Sequence, residues 1–333
     1  MLKVNEGLMN FAIVADVGGT FARFSRVNLN TLQMDKIEIY PCAAFPSFES
    51  VLAAYTKQQS LENIQRVAVA IACPVRDDLI SMTNCHWRFS IKELKNQLGL
   101  FEFKVINDFT AIAMSLPALA NHELIQIGNG YSDAGKIKVV LGAGTGLGVA
   151  YLVPGAHGYT PYAGEGGHAD WGAKTEQEWF IFNYLKNNFS HISYERLLSG
   201  QGLENLYKAL TAFYQKEIAP LSAPEIITQA LAQQCTIAQA TVAQFFAILG
   251  TYAGDLALTF SSFGGVYIAG GIVPRILSLM YHSEFRLRFE DKGRFSDFNS
   301  LIPTYVVTAE QPGILGAAVY LKQSLVGEFD VVS

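Results

Sequence analysis

Two glycine-rich turns, each directly after an apolar strand, could bind phosphate groups. The first reads DVGGT from Asp16, and the second reads GAGTGLG from Gly142. Glycines permit tight turns whose backbone N–H groups face outward, and Thr20 and Thr145 each add a hydroxyl donor. Asp16 could hold Mg²⁺ through water, since this cation prefers oxygen ligands and keeps much of its hydration shell.

Each turn also has an alternative interpretation. The first could simply close a β-hairpin between residues 11–16 and 22–27. The second differs from the dinucleotide fingerprint because Leu147 replaces its last glycine and a strand-like VAYLV follows, which disfavours a nicotinamide-dependent dehydrogenase. Residues 130–136 match GxxxxGK, but Ile137 replaces the Ser or Thr that would bind Mg²⁺, so we expect a surface turn.

Acidic side chains supply candidates for proton transfer and for binding a polar ligand. Asp108, in INDFTA, follows a strand and precedes an apolar helix, at the strand edge where α/β sheets bind ligands. The alternative is that Asp108 only caps that helix. Glu165 lies between glycines in GEGGH, whereas Glu195 in SYERLLSG would ordinarily be a solvated helix residue. The segment GGVYIAGGIVPR from Gly264 could admit an adenine ring, although helix packing explains its glycines nearly as well.

Strands and helices alternate along the chain, which predicts an α/β fold. Capping boxes predict helices that begin after Ser90, Thr175 and Ser222. An apolar strand that runs into a glycine turn occurs from Phe11 and again from Lys138, as two paired domains would produce. The strand-like runs are 11–15, 67–72, 104–106, 138–141 and 266–269.

Length and charge favour two compact domains that act on small molecules. The chain has 333 residues, of which 50% are apolar and 16% charged, so each domain can bury a core. The net charge of −5, without a block of Lys or Arg, disfavours nucleic acid and anionic membranes as partners.

Cysteine spacing and the terminal segment indicate the cytoplasm. The four cysteines show neither CxxC spacing nor clustering with histidines, so we expect neither a zinc site nor a disulfide framework. The N-terminal residues lack the form of a secretory signal. The most apolar helical stretch, near 245–258, contains Asp255 and is shorter than the ~20 residues of a membrane span.

Taken in order, these motifs resemble those of the bacterial glucokinases of the non-zinc branch, within the actin-like, hexokinase-type sugar kinase superfamily. The resemblance spans nearly the whole chain. Its motifs are DVGGT at Asp16, AIACPV at Ala70, SMTN at Ser81, INDFTA at Ile106, GAGTGLG at Gly142, GEGGH at Gly164, ERLLSG at Glu195, GGVYIAGGIVPR at Gly264, FEDKGRF at Phe289 and PGILGAA at Pro312.

The resemblance implies a two-domain actin-like ATPase fold, a duplicated ribonuclease H-like fold with a ligand cleft between the domains. The small domain would comprise 1–118, completed by a C-terminal helix at 312–333, and the large domain 119–311. It also implies a cytoplasmic homodimer that uses ATP and Mg²⁺ to phosphorylate the 6-hydroxyl group of glucose, the first step of glycolysis. The alternative is a non-catalytic sugar sensor, but such regulators generally carry an added DNA-binding domain, for which the residues before Phe11 leave no room.

The resemblance further implies roles for individual residues. Asp108 would be the general base, and Asp16 would hold Mg²⁺. The sugar would be bound by Asn84, Asn107, Asp108, Glu165, His168 and Glu195. The nucleotide would be bound by Ala15, Asp16, Val17, Gly18, Gly19, Thr20, Gly144, Thr145, Gly146 and Gly265. Phe21, where relatives often have Asn, is expected to alter packing beside the phosphate turn and the affinity for nucleotide. The stretch after His168 also departs from the family pattern.

Overall fold

The chain divides into two compact units and contains two main β-sheets. The structure, a computed structural model, describes residues 10–326. Of these, the first unit contains residues 10–120, 151–163 and 309–326, and the second contains residues 121–150 and 164–308. Residues 1–9 and 327–333, which the predicted domains include, lie outside the described residues. The predicted boundaries themselves stay a prediction.

The strands of the described residues are β1 (Phe11–Val17), β2 (Phe21–Asn28), β3 (Met34–Pro41), β4 (Arg66–Ile71), β5 (Leu79–Ser81), β6 (Arg88–Ser90), β7 (Glu102–Asn107), β8 (Leu124–Ile127), β9 (Lys138–Ala143), β10 (Leu147–Gly155), β11 (Gly158–Gly164), β12 (Val266–Ala269) and β13 (Thr304–Val307). The α-helices are α1 (Phe48–Gln59), α2 (Ile91–Gln97), α3 (Asp108–Ser115), α4 (Glu176–Lys186), α5 (Gly200–Phe213), α6 (Ala223–Leu231), α7 (Thr236–Phe260), α8 (Leu277–Met280), α9 (Phe285–Glu290), α10 (Ser296–Ser300) and α11 (Pro312–Ser324).

The two main sheets repeat one strand order. The first is ordered β3-β2-β1-β4-β7, and the second is ordered β11-β10-β9-β12-β13-β8. In the first sheet, β1 has β2 and β3 on one side and the parallel strands β4 and β7 on the other. In the second sheet, β9 has β10 and β11 on one side and the parallel strands β12 and β13 on the other, with β8 beyond β13. This order confirms the predicted α/β class and the duplication indicated by the repeated strand and turn.

Helix α3, which follows β7, packs closely against the C-terminal helix α11. The contact depends on Gly316, because a Cβ atom there would lie 1.6 Å from the carbonyl oxygen of Ala111 on α3. Helix α11 also contacts β1 and β4. The C-terminal segment therefore belongs to the core beneath the first sheet, and it holds the start of α3 in place.

The long apolar helix of the second unit corrects the sequence-based expectation. We expected a stretch near 245–258 that is too short to span a membrane, but α7 has 25 residues. By length and composition it could cross a membrane, yet 83% of its most apolar window is buried inside the protein. It packs against α5, α6 and α9, as the core helix of a globular unit does. Asp255 does not interrupt it, because this carboxylate accepts from Tyr194 and pairs with Lys292.

The helix starts predicted from capping boxes are confirmed, although not every box is reciprocal. The Thr175 hydroxyl accepts from the backbone N–H of Glu178 at 3.2 Å. The Glu178 side chain returns to the residue before the cap, because Oε2 accepts from the Lys174 N–H at 2.7 Å. Its Oε1 accepts from Arg288 at 2.8 Å and from Gln244 at 2.9 Å, so this buried carboxylate also joins α4, α7 and α9.

We predict that Gly316→Ala destabilises the protein. The added methyl group would overlap the α3 backbone, and overpacking of this kind costs ~1–3 kcal/mol, more than the ~1 kcal/mol that alanine gains over glycine in a helix. Thermal and urea unfolding should both shift to lower midpoints. Gly172→Ala is the matched control, because a Cβ atom there meets nothing within 4 Å. Equal midpoints for both variants would contradict the close contact.

Candidate active site

Two carboxylates lie at the same edge of the first sheet. Parallel strands end at one edge, and the register aligns Asp16 of β1 with Ala70 of β4, which aligns with Ile106 of β7. Asp108 follows directly after β7. One strand, β4, separates β1 from β7, so the two strands that carry these carboxylates lie about 10 Å apart. The sequence predicted both strand ends, and the structure brings them together.

The DVGGT turn joins β1 and β2, so the hairpin alternative describes its geometry correctly. The Gly18 N–H donates to the Phe21 carbonyl at 3.0 Å. A Cβ atom on Gly19 would lie 2.7 Å from the Cβ of Asn84, so only glycine lets this turn lie against that residue. The Thr20 side chain is exposed. A hairpin turn with an exposed hydroxyl can still receive an anion, so the two interpretations are compatible.

Other residues near this turn have a more limited part than the resemblance implies. The side chains of Ala15 and Val17 are fully buried in the core, which leaves them only backbone groups for binding. Phe21 is 49% exposed at the start of β2. Its ring therefore lies beside the turn and is not part of the core beneath the turn.

Asp16 has the surroundings of a cation ligand. Burial raises its pKa, and Arg23, whose Nη1 lies 4.0 Å from Asp16 Oδ2, opposes that rise. About a quarter of the side chain (27%) still reaches solvent. A Cβ atom on Gly313 would lie 3.1 Å from the Asp16 carboxyl carbon, so the first turn of α11 adjoins it. One accessible carboxylate fits Mg²⁺, which keeps its waters and takes its other ligands from substrate phosphates.

Asn107, and not Asp108, is the residue that caps α3. The Asn107 side-chain oxygen accepts from the N–H groups of Phe109 at 3.0 Å and Thr110 at 3.2 Å. Its amide group donates to the Cys73 carbonyl at 3.3 Å and to Asp108 Oδ1 at 2.8 Å. The capping alternative for Asp108 therefore fails, because its neighbour does that work and Asp108 is left as the first helical residue.

The Asp108 carboxyl group is poised to exchange a proton near neutral pH. Burial is the main cause that raises its pKa to about 6, and the charge of Asp16 adds to the rise. Hydrogen bonds from Phe109 and Asn107 act in the opposite direction. Both bonds reach Oδ1, at 2.9 and 2.8 Å, so Oδ2 is the oxygen that can accept a proton.

In the second unit, the GAGTGLG turn lies against Glu195. The turn joins β9 to β10, and Glu195 lies in a short 3₁₀ helix, Tyr194–Arg196. Glu195 Oε2 accepts from the Leu147 N–H at 2.9 Å, and a Cβ atom on Gly146 would lie 2.6 Å from that oxygen. Thr145, at the tip of the turn, is exposed. Glu195 is therefore held against this turn by a hydrogen bond, and it is not a solvated helix residue.

The GEGGH loop meets Glu195 through paired backbone. The N–H of Trp171 donates to the Ile192 carbonyl at 2.9 Å, and the N–H of Tyr194 donates to the Ala169 carbonyl at 3.1 Å. This pairing leaves His168 Nδ1 4.0 Å from Glu195 Oε1. Glu165 directly precedes a short 3₁₀ helix, Gly166–His168, and is exposed. The structure thus brings Glu165, His168 and Glu195, separated in sequence, to one surface of the second unit.

Gly265 was predicted to bind the nucleotide, but the structure does not place it near Gly144 and Gly146, the other predicted glycines of this unit. It precedes β12, with a φ of +108°, whereas the Gly144–Gly146 turn follows the carboxyl end of the parallel neighbour β9. The two therefore lie at opposite edges of the sheet. The pair Gly270–Gly271 follows β12 and lies at the same edge of the sheet as the Gly144–Gly146 turn. A Cβ atom on Gly270 would lie 2.4 Å from the Ala143 carbonyl, and Gly271 faces open space.

The sequence signal for Gly270 and Gly271 was present in the second half of GGVYIAGG. Strand direction decides between the two glycine pairs, because ligands of α/β sheets lie beyond the carboxyl ends of the strands. We therefore take Gly271, in place of Gly265, as the candidate for contact with a nucleotide.

Comparisons with known proteins agree with one another. Residues 13–324 match the family model described as Glucokinase. A glucokinase of Colwellia psychrerythraea is 47% identical over 328 residues, which cover 97% of this chain and 99% of that protein. The crystal structure of a glucokinase from an Antarctic psychrotroph superimposes with a TM-score of 0.87 at 34% identity, and covers 94% of this chain and 98% of that one.

A more distant structure shares the fold. It is a ROK family glucokinase from Streptomyces griseus, solved in complex with glucose and AMPPNP, with a TM-score of 0.63 at 17% identity over 94% of this chain and 99% of that one. Together with the duplicated strand order, these neighbours confirm the predicted two-domain actin-like architecture.

We predict that the Asp108 carboxyl group titrates near pH 6 and that Asp16→Asn lowers its pKa. The variant removes a neighbouring negative charge that favours the protonated form of Asp108. Carboxyl ¹³C chemical shifts followed against pH would report both values. Asp35→Asn is the control, because the Asp35 carboxylate pairs with Arg26 and should leave the Asp108 titration unchanged. A wild-type value near 4 would contradict the role of burial.

Proposed function

This chain belongs to the glucokinase family, and we propose that it transfers the γ-phosphoryl group of ATP to the 6-hydroxyl group of glucose, giving glucose 6-phosphate and ADP. The observation that carries the proposal is the Asp108 carboxyl group, half-buried directly after β7 with a pKa raised to about 6. A general base works best when its pKa lies near the working pH. Asp108 has that property, and one of its oxygens is free of the bonds that hold the other.

We propose that Asp108 Oδ2 accepts the proton of the sugar hydroxyl group as its oxygen attacks the γ-phosphorus. Phosphoryl transfer depends on positioning and charge stabilisation more than on covalent help from the protein. Asn107 contributes to positioning, because its amide donates to Asp108 Oδ1 while its oxygen caps α3. The carboxylate is therefore oriented by backbone that cannot move without breaking the helix cap.

The sugar requires donors and acceptors of fixed geometry, since it has many hydroxyl groups and no charge. A buried acceptor left without its hydroxyl partner costs ~1–3 kcal/mol, which is how such a site discriminates between hexoses. Glu195 suits this role because Oε2 is anchored on the Leu147 N–H, while Oε1 faces His168. The proposed sugar ligands are Asn84, Asn107, Asp108, Glu165, His168 and Glu195.

The phosphate groups of ATP suit the two glycine turns. In the first unit, the Thr20 hydroxyl and the Gly19 N–H can donate to phosphate oxygens, Gly18 holds the turn through its bond to Phe21, and Asp16 would hold Mg²⁺, which neutralises phosphate charge when bound. In the second unit, Gly144, Thr145 and Gly146 form the corresponding turn, with Gly271 beside them. Open space around Gly144 and Gly271 supports this proposal, since a Cβ atom at either position meets nothing within 4 Å.

We further propose that the enzyme acts in the cytoplasm as a homodimer, without nucleic acid or membrane partners. The net charge of −5 and the scattered basic residues support the absence of polyanionic partners. The four cysteines, all within the described residues, are free thiols, which suits a reducing compartment.

A coupled ADP-release assay across a panel of hexoses tests the proposed function. Glucose should give the highest kcat/KM, and omission of ATP or Mg²⁺ should abolish ADP release. The rival function, a non-catalytic sugar sensor, predicts glucose binding by calorimetry without ADP release. Two intact phosphate turns and a tuned carboxylate favour the kinase, since a sensor has no need of either.

We predict that Asp108→Asn lowers kcat by ~10²-fold or more while glucose affinity is largely retained, because general-base catalysis contributes ~10²–10⁴. The wild-type kcat/KM should fall as pH drops through about 6, since protonation removes the base. Steady-state kinetics against pH and calorimetry with glucose measure these effects. Asp77→Asn, an exposed carboxylate of the same unit, is the control. A variant that keeps more than a tenth of the turnover would refute the assignment.

We predict that Glu195→Ala raises the KM for glucose by about tenfold or more with a smaller fall in kcat. The variant removes the acceptor of the Leu147 N–H and a neighbour of His168, and unpaired buried groups cost ~1–3 kcal/mol. Glu176→Ala, an exposed glutamate of α4, should leave both constants unchanged. An unaltered KM in Glu195→Ala would remove Glu195 from the sugar site.

A further inference from the structure

Two of the four cysteines adjoin the DVGGT turn from separate segments of the chain. Cys42 follows β3; its N–H donates to the Thr20 carbonyl at 2.8 Å, and its thiol donates to the Gly18 carbonyl at 3.6 Å. Cys85 comes directly after Asn84, the residue against which Gly19 packs. The segments that carry both thiols therefore contact the turn that we propose to bind phosphate.

The two segments are also bonded to each other. The Phe45 carbonyl, three residues after Cys42, accepts from the Trp87 indole N–H at 3.0 Å and from His86 Nε2 at 2.9 Å. Trp87 is almost fully buried, so this anchor is part of the core. The Cys85 thiol is also among the causes that raise the pKa of Cys42. Backbone and side-chain contacts thus hold the two segments that carry the thiols next to each other.

The two thiols differ in their access to solvent. Cys42 is 1% exposed, and burial is the main cause that raises its pKa to about 11. Cys85 is only partly buried. An oxidant that arrives from solvent therefore meets Cys85 first. A thiol that is oxidised in this way can then be resolved by a second thiol beside it.

We propose that Cys42 and Cys85 form a reversible redox site that controls the nucleotide turn, with hydroperoxides as oxidant. The Cys85 sulfur attacks the peroxide, the O–O bond breaks, and Cys85 becomes a sulfenic acid while the peroxide leaves as an alcohol or water. The Cys42 thiol then displaces the hydroxyl group from sulfur, so that an S–S bond forms and water is released. A thiol reductant returns both cysteines to the reduced state.

Oxidation would weaken nucleotide binding through Gly18. The Cys42 thiol loses its hydrogen when the S–S bond forms, and the Gly18 carbonyl loses that donor. The new bond also pulls on the residue after Asn84, which contacts Gly19. Because a single hydrogen bond is worth about 2- to 10-fold in an equilibrium constant, we expect the KM for ATP to rise by about that factor on oxidation.

Peptide mapping tests the site independently of activity. Tryptic cleavage places Cys42 in the peptide 37–57 and Cys85 in the peptide 77–88. After treatment with hydrogen peroxide, these two peptides should be linked, the chain should lose two of its four thiols, and dithiothreitol should reverse both changes together with the rise in KM. In Cys42→Ser, dimedone should label Cys85, because its sulfenic acid has no thiol to resolve it.

Variants connect the chemistry to the effect on ATP. Cys85→Ser should keep the reduced activity and become insensitive to peroxide, whereas Cys235→Ser, which retains a side chain able to cap α7, should respond like the wild type. Four free thiols after a treatment that fully oxidises glutathione would overturn the proposal, as would linked peptides with an unchanged KM for ATP. The kinetic part rests on the proposed function; linked peptides in a chain that phosphorylates no hexose would contradict that function and support the thiol site.

Discussion

The burial of Asp108 beside Asp16 is the constraint on which the first unit depends. A folded-state pKa of about 6, against an ordinary value of 3.8, means that folding favours the protonated form. The relative stabilisation is complete below pH 3.8 and is lost as pH rises through 6, so the ionised group costs about 3 kcal/mol at neutral pH. Since domains are stable by only ~5–15 kcal/mol, the rest of the unit must offset a large fraction of its margin. The Asn107 cap and the close contact of α3 with α11 contribute to this.

In the second unit, hydrogen bonds and packing hold Glu195 in position. The position of Glu195 comes from two backbone hydrogen bonds between the segments around residues 170 and 193, and from the Leu147 N–H. Beneath it, Tyr194 stacks on Tyr252 with ring centroids 4.2 Å apart, and its hydroxyl donates to Asp255 of α7. The long core helix thus supports the loop that presents Glu195, which connects the packing of the unit to its surface.

Local sequence signals predicted five of the strands, three of the helix starts and both glycine turns, because these features depend on neighbouring residues. Strand β12 was predicted at its exact bounds. The sequence could not decide between Gly265 and Gly271, since that choice depends on the direction of β12 relative to β9. Nor could it show that Glu178 forms a buried ion pair with a residue 110 positions away. The full length of α7 was missed because its first nine residues, 236–244, include polar side chains such as Thr241 and Gln244, whose burial depends on tertiary packing.

The first unit closes only with the last helix of the chain. Helix α11 packs on α3, β1 and β4, although roughly 200 residues of sequence separate it from α3, the nearest of these elements along the chain. During synthesis, the strands that carry Asp16 and Asp108 leave the ribosome first but must wait for residues 312–324 before their core is covered. A nascent or truncated chain that ends before α11 therefore has exposed apolar surface at α3, which makes it a substrate for chaperones or proteases. Synthesis of residues 312–324 is in this way a checkpoint for the assembly of the active site.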